Sequence, residues 1–220
     1  MNIFDDGSLY KTVTNAAREL FFGGSFSDAE KTKLANWILD HQNRCKGFMF
    51  YPSEQDREGG IQFFSGEKPR AKFLVDNLVE LETLRVLALI QPKDPEVRLI
   101  LQEANKRLFT LCFANGCTVG ECAHASIAFR RYLLVYDPAA SGEKNRQTLQ
   151  ALRLRRSDEG KWRRFPFYFT LLWLTELPGS MGGDELDYAR EYCERLSRRM
   201  KDEEPSVEVR RKILQRALER

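Results

Sequence analysis

Thr83-Leu84-Arg85-Val86-Leu87, Ser126-Ile127-Ala128-Phe129 and Thr170-Leu171-Leu172-Trp173-Leu174 repeat one pattern, a small hydroxyl residue leading into mostly apolar ones, at spacings of 43 and 44 residues. Ahead of the last two stand glycine turns, Asn115-Gly116-Cys117 and Glu159-Gly160-Lys161-Trp162, whose glycines are again 44 residues apart. A period between about 20 and 50 residues marks stacked supersecondary units, because each unit has an apolar face that only its neighbours can cover.

The chemistry between these points is helical. Ser27-Asp28-Ala29-Glu30 has the form of a capping box and opens a helix through Leu34, Trp37, Ile38 and His41. Asp94-Pro95 sets a cap residue before a proline at the first helical position, and Val97, Ile100, Leu101, Ala104, Leu108 and Leu111 then recur as one apolar stripe. Thr118-Val119-Gly120-Glu121 predicts a second capping box for the run from Cys122 to Tyr136, which Asp137-Pro138 stops. Phe165-Pro166 opens a helix that ends at Leu177-Pro178-Gly179, and amphipathic helices follow from Asp184 to Met200 and from Pro205 onward.

A helix apolar along one stripe belongs in an outer layer, and one apolar nearly all round must be covered on most sides. The expectation is therefore a single all-α domain over residues 1–220 in two layers. Its hairpins span about 28–92, 94–136 and 142–178, with C-terminal helices over 184–220. Residues 50–70, with Pro52, Gly59, Gly60, Gly66 and Pro69, read as a long loop across one end.

Composition narrows the function classes. Hydrophobic residues make up 42% and charged ones 30%, so the chain can bury a core, and a net charge of +3 is too small to imply a nucleic-acid partner. The start, Met-Asn-Ile-Phe-Asp-Asp-Gly, lacks the basic and apolar regions of a secretory signal, and no run is apolar enough for a membrane span. Five cysteines, an odd number in a chain too long to need disulfide staples, fit reduced thiols in a cytoplasmic protein.

Trp37-Ile38-Leu39-Asp40-His41-Gln42 with Gly47-Phe48, Gly116-Cys117 before Ala125-Ser126-Ile127-Ala128, and Asp158-Glu159-Gly160-Lys161-Trp162 before Thr170-Leu171-Leu172 together resemble the α/α-toroid repeats of terpenoid cyclases and protein prenyltransferase subunits. The resemblance covers about residues 28 to 178. It implies outer helices ending in a glycine and aromatic turn, and inner helices around a hollow. The chain has neither the Asp-x-Asp-Asp motif of the cyclases nor the aspartate, cysteine and histidine set of the prenyltransferase zinc site, so no catalytic residue carries over. Three to four hairpins in place of six imply a partial toroid, or one closed by a second copy in a homodimer.

Several residues could carry chemistry. His124 and Glu121, three apart on one helical face, form the best candidate acid–base pair, but the favoured reading is structural, with Glu121 used in the capping box and His124 hydrogen-bonded inside a helical layer. Cys117, Cys122 and His124 offer zinc-ligating atoms without a clear fourth; packing of the cysteines as small hydrophobes, with no cofactor, is the other reading. Asp76, Glu80 and Thr83 make a polar stripe that is either a solvated face or, if buried, needs a polar cavity or cations such as Arg85, Arg130 or Arg131. Arg153, Arg155, Arg156, Lys161, Arg163 and Arg164 surround Trp162 and could hold an anion or form a solvated loop. Phe165, Phe167, Tyr168, Phe169 and Trp173 add aromatic bulk, by default to the core.

The expectation from these readings is a domain that binds an apolar or mixed small molecule, or a peptide, in its concave interior. Asp76, Glu80, Trp162, Arg163, Arg164 and Tyr168 would line that interior. The alternatives are an enzyme acting on an isoprenoid-like or diphosphate substrate, with His124 and Glu121 catalytic, and a homodimeric scaffold.

Overall fold

The computed structural model describes residues 3–91, 93–201 and 206–220, and these residues form an all-α fold. The helices are α1 (Leu9–Phe21), α2 (Asp28–Asp40), α3 (Glu54–Glu58), α4 (Lys72–Ile90), α5 (Pro95–Leu108), α6 (Cys122–Tyr136), α7 (Pro138–Arg153), α8 (Phe167–Glu176), α9 (Gly183–Arg199) and α10 (Val207–Leu218), with a 3-10 turn at Cys112–Asn115.

Local chemistry sets most boundaries. The Glu30 amide donates to the Ser27 hydroxyl while the Ser27 amide donates to the Glu30 carboxylate, which closes the capping box at α2. Asp94 accepts from the amides of Glu96 and Val97 ahead of Pro95. Ser8 caps α1, a helix with no counterpart in the repeat pattern, by accepting from the Lys11 amide.

One boundary forms differently from its sequence signature. Helix α6 starts at Cys122 as expected, but Glu121 is itself the cap residue, in helical conformation, and no side chain caps the end. Gly120, at φ 54°, bends the segment so that Thr118 cannot serve as the cap and the Glu121 carboxylate is free to approach His124. Gly116 and Gly160, the glycines 44 residues apart, both adopt left-handed φ, 88° and 80°. At Gly160 a Cβ would also come within 2.9 Å of Tyr192 Cβ, so the turn tolerates nothing larger.

Packing follows the distribution of apolar residues. Helix α4 packs on α1 and α6, α6 on α8, and α8 on α10. Helix α10 returns to α1, where the Arg216 guanidinium lies 4.1 Å from the Phe21 ring centroid and donates to the Phe21 carbonyl at 2.6 Å, and Arg18 pairs with Glu208. Outside this succession α2 and α5 lie on α4, α7 on α6, and α9 on α8 and α10. Helices α4, α6 and α8 are buried round most of their circumference, whereas α5 buries the stripe Val97, Ile100, Leu101, Ala104 and Leu108 and leaves Leu99 exposed. Each fully buried leucine or valine contributes about 1.5–3 kcal/mol.

The inner helices run parallel. Segments at the N-terminal ends of α4, α6, α8 and α10 meet around one cleft, and Leu89, Arg131, Glu176 and Arg216 from their C-terminal halves meet at the other end.

The space between the inner helices is filled by the chain itself. The loop after α3 turns Phe63 and Phe64 inward. Phe63 lies 4.6 Å from Phe169 and 5.8 Å from His124, and Phe64 meets Phe21 edge-on at 5.2 Å. Beyond them Arg131, 2% exposed, donates twice to Glu176, at 2.8 and 2.9 Å, and once to Glu82 at 3.0 Å. Arg85 also donates to Glu176, at 2.9 Å. Burying charges is costly unless partners compensate, and each of these is ion-paired.

Candidate functional site

Where the N-terminal ends of α6, α8 and α10 meet the loop at 66–70, they leave a cleft of about 1110 Å³. Lys68 and Arg70 reach it from the loop, Glu121 and His124 from the start of α6, Arg164 from the turn before α8, and Arg210 from α10. Phe165, Pro166 and Phe167 supply an apolar wall.

Glu67 holds this mouth together. Its carboxylate accepts from the amides of Phe169 at 2.8 Å and Tyr168 at 3.3 Å, and from the Ser65 hydroxyl at 2.8 Å. It thereby caps α8 from a loop about a hundred residues away in sequence, in place of a local side-chain cap. Burial pushes its carboxyl up from the usual range, against those hydrogen bonds and the nearby Arg210 guanidinium. Arg210 donates to the Ser65 carbonyl at 2.9 Å and stacks 4.9 Å from the Tyr168 ring centroid, tying α10 to the same loop.

His124 Nδ1 lies 3.8 Å from Glu121 Oε2, and both atoms are buried without a hydrogen-bond partner among the described residues. Burial lowers the imidazole pKa from its ordinary value; Glu121 and the Arg164 carbonyl oppose that shift and Arg70 adds to it. The ring is therefore neutral at neutral pH, one nitrogen being free to accept a proton. Arg164 has φ 71°, in the left-handed region that non-glycine residues rarely occupy. Four cations, Lys68, Arg70, Arg164 and Arg210, face the carboxylates Glu67 and Glu121 across the cleft. The balance is positive beside an aromatic surface.

Other residues read from the sequence as site residues lie elsewhere. Asp76 pairs with Arg57 at 2.5 Å, and Glu80 pairs with Arg107 and accepts from the Met49 amide at 2.8 Å. Their partners are thus cations from α3 and α5, in place of the expected Arg85, Arg130 and Arg131. Thr83 bonds back to the Val79 carbonyl within its own helix. Trp162 is a core residue whose indole donates to Glu185 at 2.8 Å. Arg163 lines a separate recess with Trp162 and Lys161. Three more cations of that cluster are ion-paired: Arg153 and Arg156 with Glu185, and Lys161 with Glu159. Arg164 alone of the set lines the cleft, with Tyr168 beneath Arg210.

Cys117 and Cys122 come together with Cys112 and not with His124. Cys122 and His124 are two positions apart on a helix, about 200° in rotation, so their side chains diverge. The three sulfurs lie within 4.8 Å of one another, with Cys112 and Cys122 at 3.3 Å. Burial and the neighbouring thiols push Cys122 up to about 12, whereas the Val119 amide lowers Cys117.

Sequence reasoning missed Glu67, Lys68, Arg70, Arg210 and Cys112. The charged run Glu67-Lys68-Pro69-Arg70 is visible in a loop, but nothing local says which helix it caps. Cys112 extends Cys117 and Cys122 at a constant five-residue spacing, a signal that was available.

The chain matches no known protein family, no curated protein and no solved structure. Among the described residues no helix is long and apolar enough to cross a membrane.

Proposed function

We propose that the chain is a ligand-binding domain whose cleft at the N-terminal end of the inner helices takes a small molecule with an anionic group and an apolar part. The observation that carries this reading is the convergence of Lys68, Arg70, Arg164 and Arg210 from three separate segments beside the wall of Phe165 to Phe167. Guanidinium forks suit phosphate or carboxylate oxygens, and the cleft, at about 1110 Å³, lies just above the roughly 300–1,000 Å³ of ordinary small-molecule sites. The succession α1, α4, α6, α8, α10 inside and α2, α5, α7, α9 outside supports a small α/α toroid. Because Phe63, Phe64 and the ion pairs occupy its axis, binding falls at the mouth and not in a hollow interior.

Isothermal titration with inorganic pyrophosphate and with a prenyl diphosphate tests this. The prenyl compound should bind more tightly, by the burial of its tail on the aromatic wall, and Arg70→Ala or Arg164→Ala should each weaken it about tenfold. Equal binding by wild type and the double variant, or none by wild type, would sink the proposal.

One observation favours a catalytic reading of the same cleft. A neutral His124 with an unpartnered Nδ1 beside Glu121 is the arrangement a general base requires. Phosphorus NMR of a prenyl diphosphate incubated with the protein reads it out. Turnover that His124→Ala removes at unchanged melting temperature supports an enzyme, and no turnover above the buffer rate leaves a binding domain.

A further inference from the structure

Cys112, Cys117 and Cys122 occupy a turn of eleven residues whose backbone is bent to bring them together. The 3-10 turn begins at Cys112, Gly116 reverses the chain at φ 88°, and the Cys117 amide returns to the Cys112 carbonyl at 3.0 Å. Gly120 then turns the chain into α6, whose first residue is Cys122.

The surroundings hold this turn in place. Arg130, fully buried, donates to the Ala114 carbonyl from α6, and Lys144 donates to the same oxygen at 3.1 Å from α7. The Asn115 side chain donates to the carbonyls of Phe109 and Leu111. A turn braced from two helices keeps its side chains in place without a ligand.

Burial does not explain the cluster. Cys112 is exposed and Cys117 and Cys122 only half-buried, whereas Cys193 is the cysteine that packs as a core residue. Tetrahedral zinc at about 2.3 Å from each sulfur sets the sulfurs roughly 3.8 Å apart, within the spread observed here.

We propose that Cys112, Cys117 and Cys122 form a three-thiolate site for a thiophilic divalent cation, zinc, with the fourth coordination position left to a solvent or exogenous donor. Among the described residues no histidine or carboxylate joins the group, so the set is sulfur only and selects against magnesium and calcium. Binding replaces three S–H bonds by three metal–sulfur bonds and releases three protons to solvent, leaving the site one negative charge in excess.

The experiment is an anaerobic titration of the reduced full chain with cobalt(II), followed by zinc. One equivalent of cobalt should bind with the thiolate charge-transfer and visible bands of a tetrahedral sulfur site, and zinc should displace it. Cys112→Ser, at an exposed position that folding does not require, should weaken cobalt binding by at least about tenfold, and Cys45→Ser should not change it. Alkylation mapped by peptide mass spectrometry should find Cys112, Cys117 and Cys122 shielded by zinc while Cys45 stays reactive. Absence of the tetrahedral bands, or binding that survives Cys112→Ser, overturns the proposal. Neither readout depends on the anion cleft, so the two readings fail separately.

Discussion

His124 stands between opposing influences: burial disfavours its charged form and the Glu121 carboxylate favours it, with burial the larger. The native state therefore binds a proton less readily than the unfolded chain, whose imidazole titrates near ~6.5. The sign follows from linkage. Between the lowered native value and about 6.5 the unfolded state carries more protons, so stability rises with pH across that window and is lost as pH falls through it. Urea unfolding of wild type and His124→Asn from about pH 5 to 7.5 should show a difference that shrinks or reverses toward acid. Proton NMR should place the imidazole midpoint below ~6.5; a midpoint above it would mean that Glu121 outweighs burial. At Trp162 the buried indole donates to Glu185, which also receives Arg156. Trp162→Phe keeps one aromatic ring but loses the five-membered ring and its N–H donor, and should cost at least about 2 kcal/mol in chemical denaturation.

Among the elements, the loop at 59–70 decides the most. Glu67 caps α8, so Glu67→Ala leaves the Tyr168 and Phe169 amides without that partner and should cost about 2 kcal/mol, a fall in melting temperature of roughly 4–8 °C. Glu67→Gln keeps one acceptor oxygen and should cost less; equal losses for the two would deny the cap. Phe63 carries the same loop into the interior at 1% exposed, and Phe63→Ala should cost about 3–5 kcal/mol. A cost under about 1 kcal/mol would mean that the loop merely rests on the helices. Helices were legible because caps are local: Ser27 with Glu30 and Asp94 with Pro95 state their own boundaries. The loop's role was not, since Phe63 and Glu67 meet α6 and α8 through contacts up to a hundred residues distant. The site divided in the same way. His124, Glu121 and Arg164 are separable as chemistry in the sequence, but Lys68, Arg70 and Arg210 join them only once the helices stand side by side.

At the scale of the whole molecule, the parallel inner helices face one another with a layer of charge where an apolar contact would serve for stability alone. Four buried or half-buried groups, Glu82, Arg85, Arg131 and Glu176, balance to zero among themselves beside the further cation Arg216, and Arg131 bridges both acids. Arg131→Met keeps much of the volume but removes the guanidinium that pairs with Glu82 and Glu176, and should cost about 3–5 kcal/mol. Adding Glu82→Leu removes the acid that depended on Arg131 and leaves Glu176 paired with Arg85, again neutral. The double variant should therefore be more stable than Arg131→Met alone, a coupling between sites that simple loss of contacts would not produce. Urea midpoints of wild type, both single variants and the double variant measure it. If the double variant is no more stable than Arg131→Met, the layer is held by packing around the guanidinium, and charge balance is not what joins α4, α6 and α8.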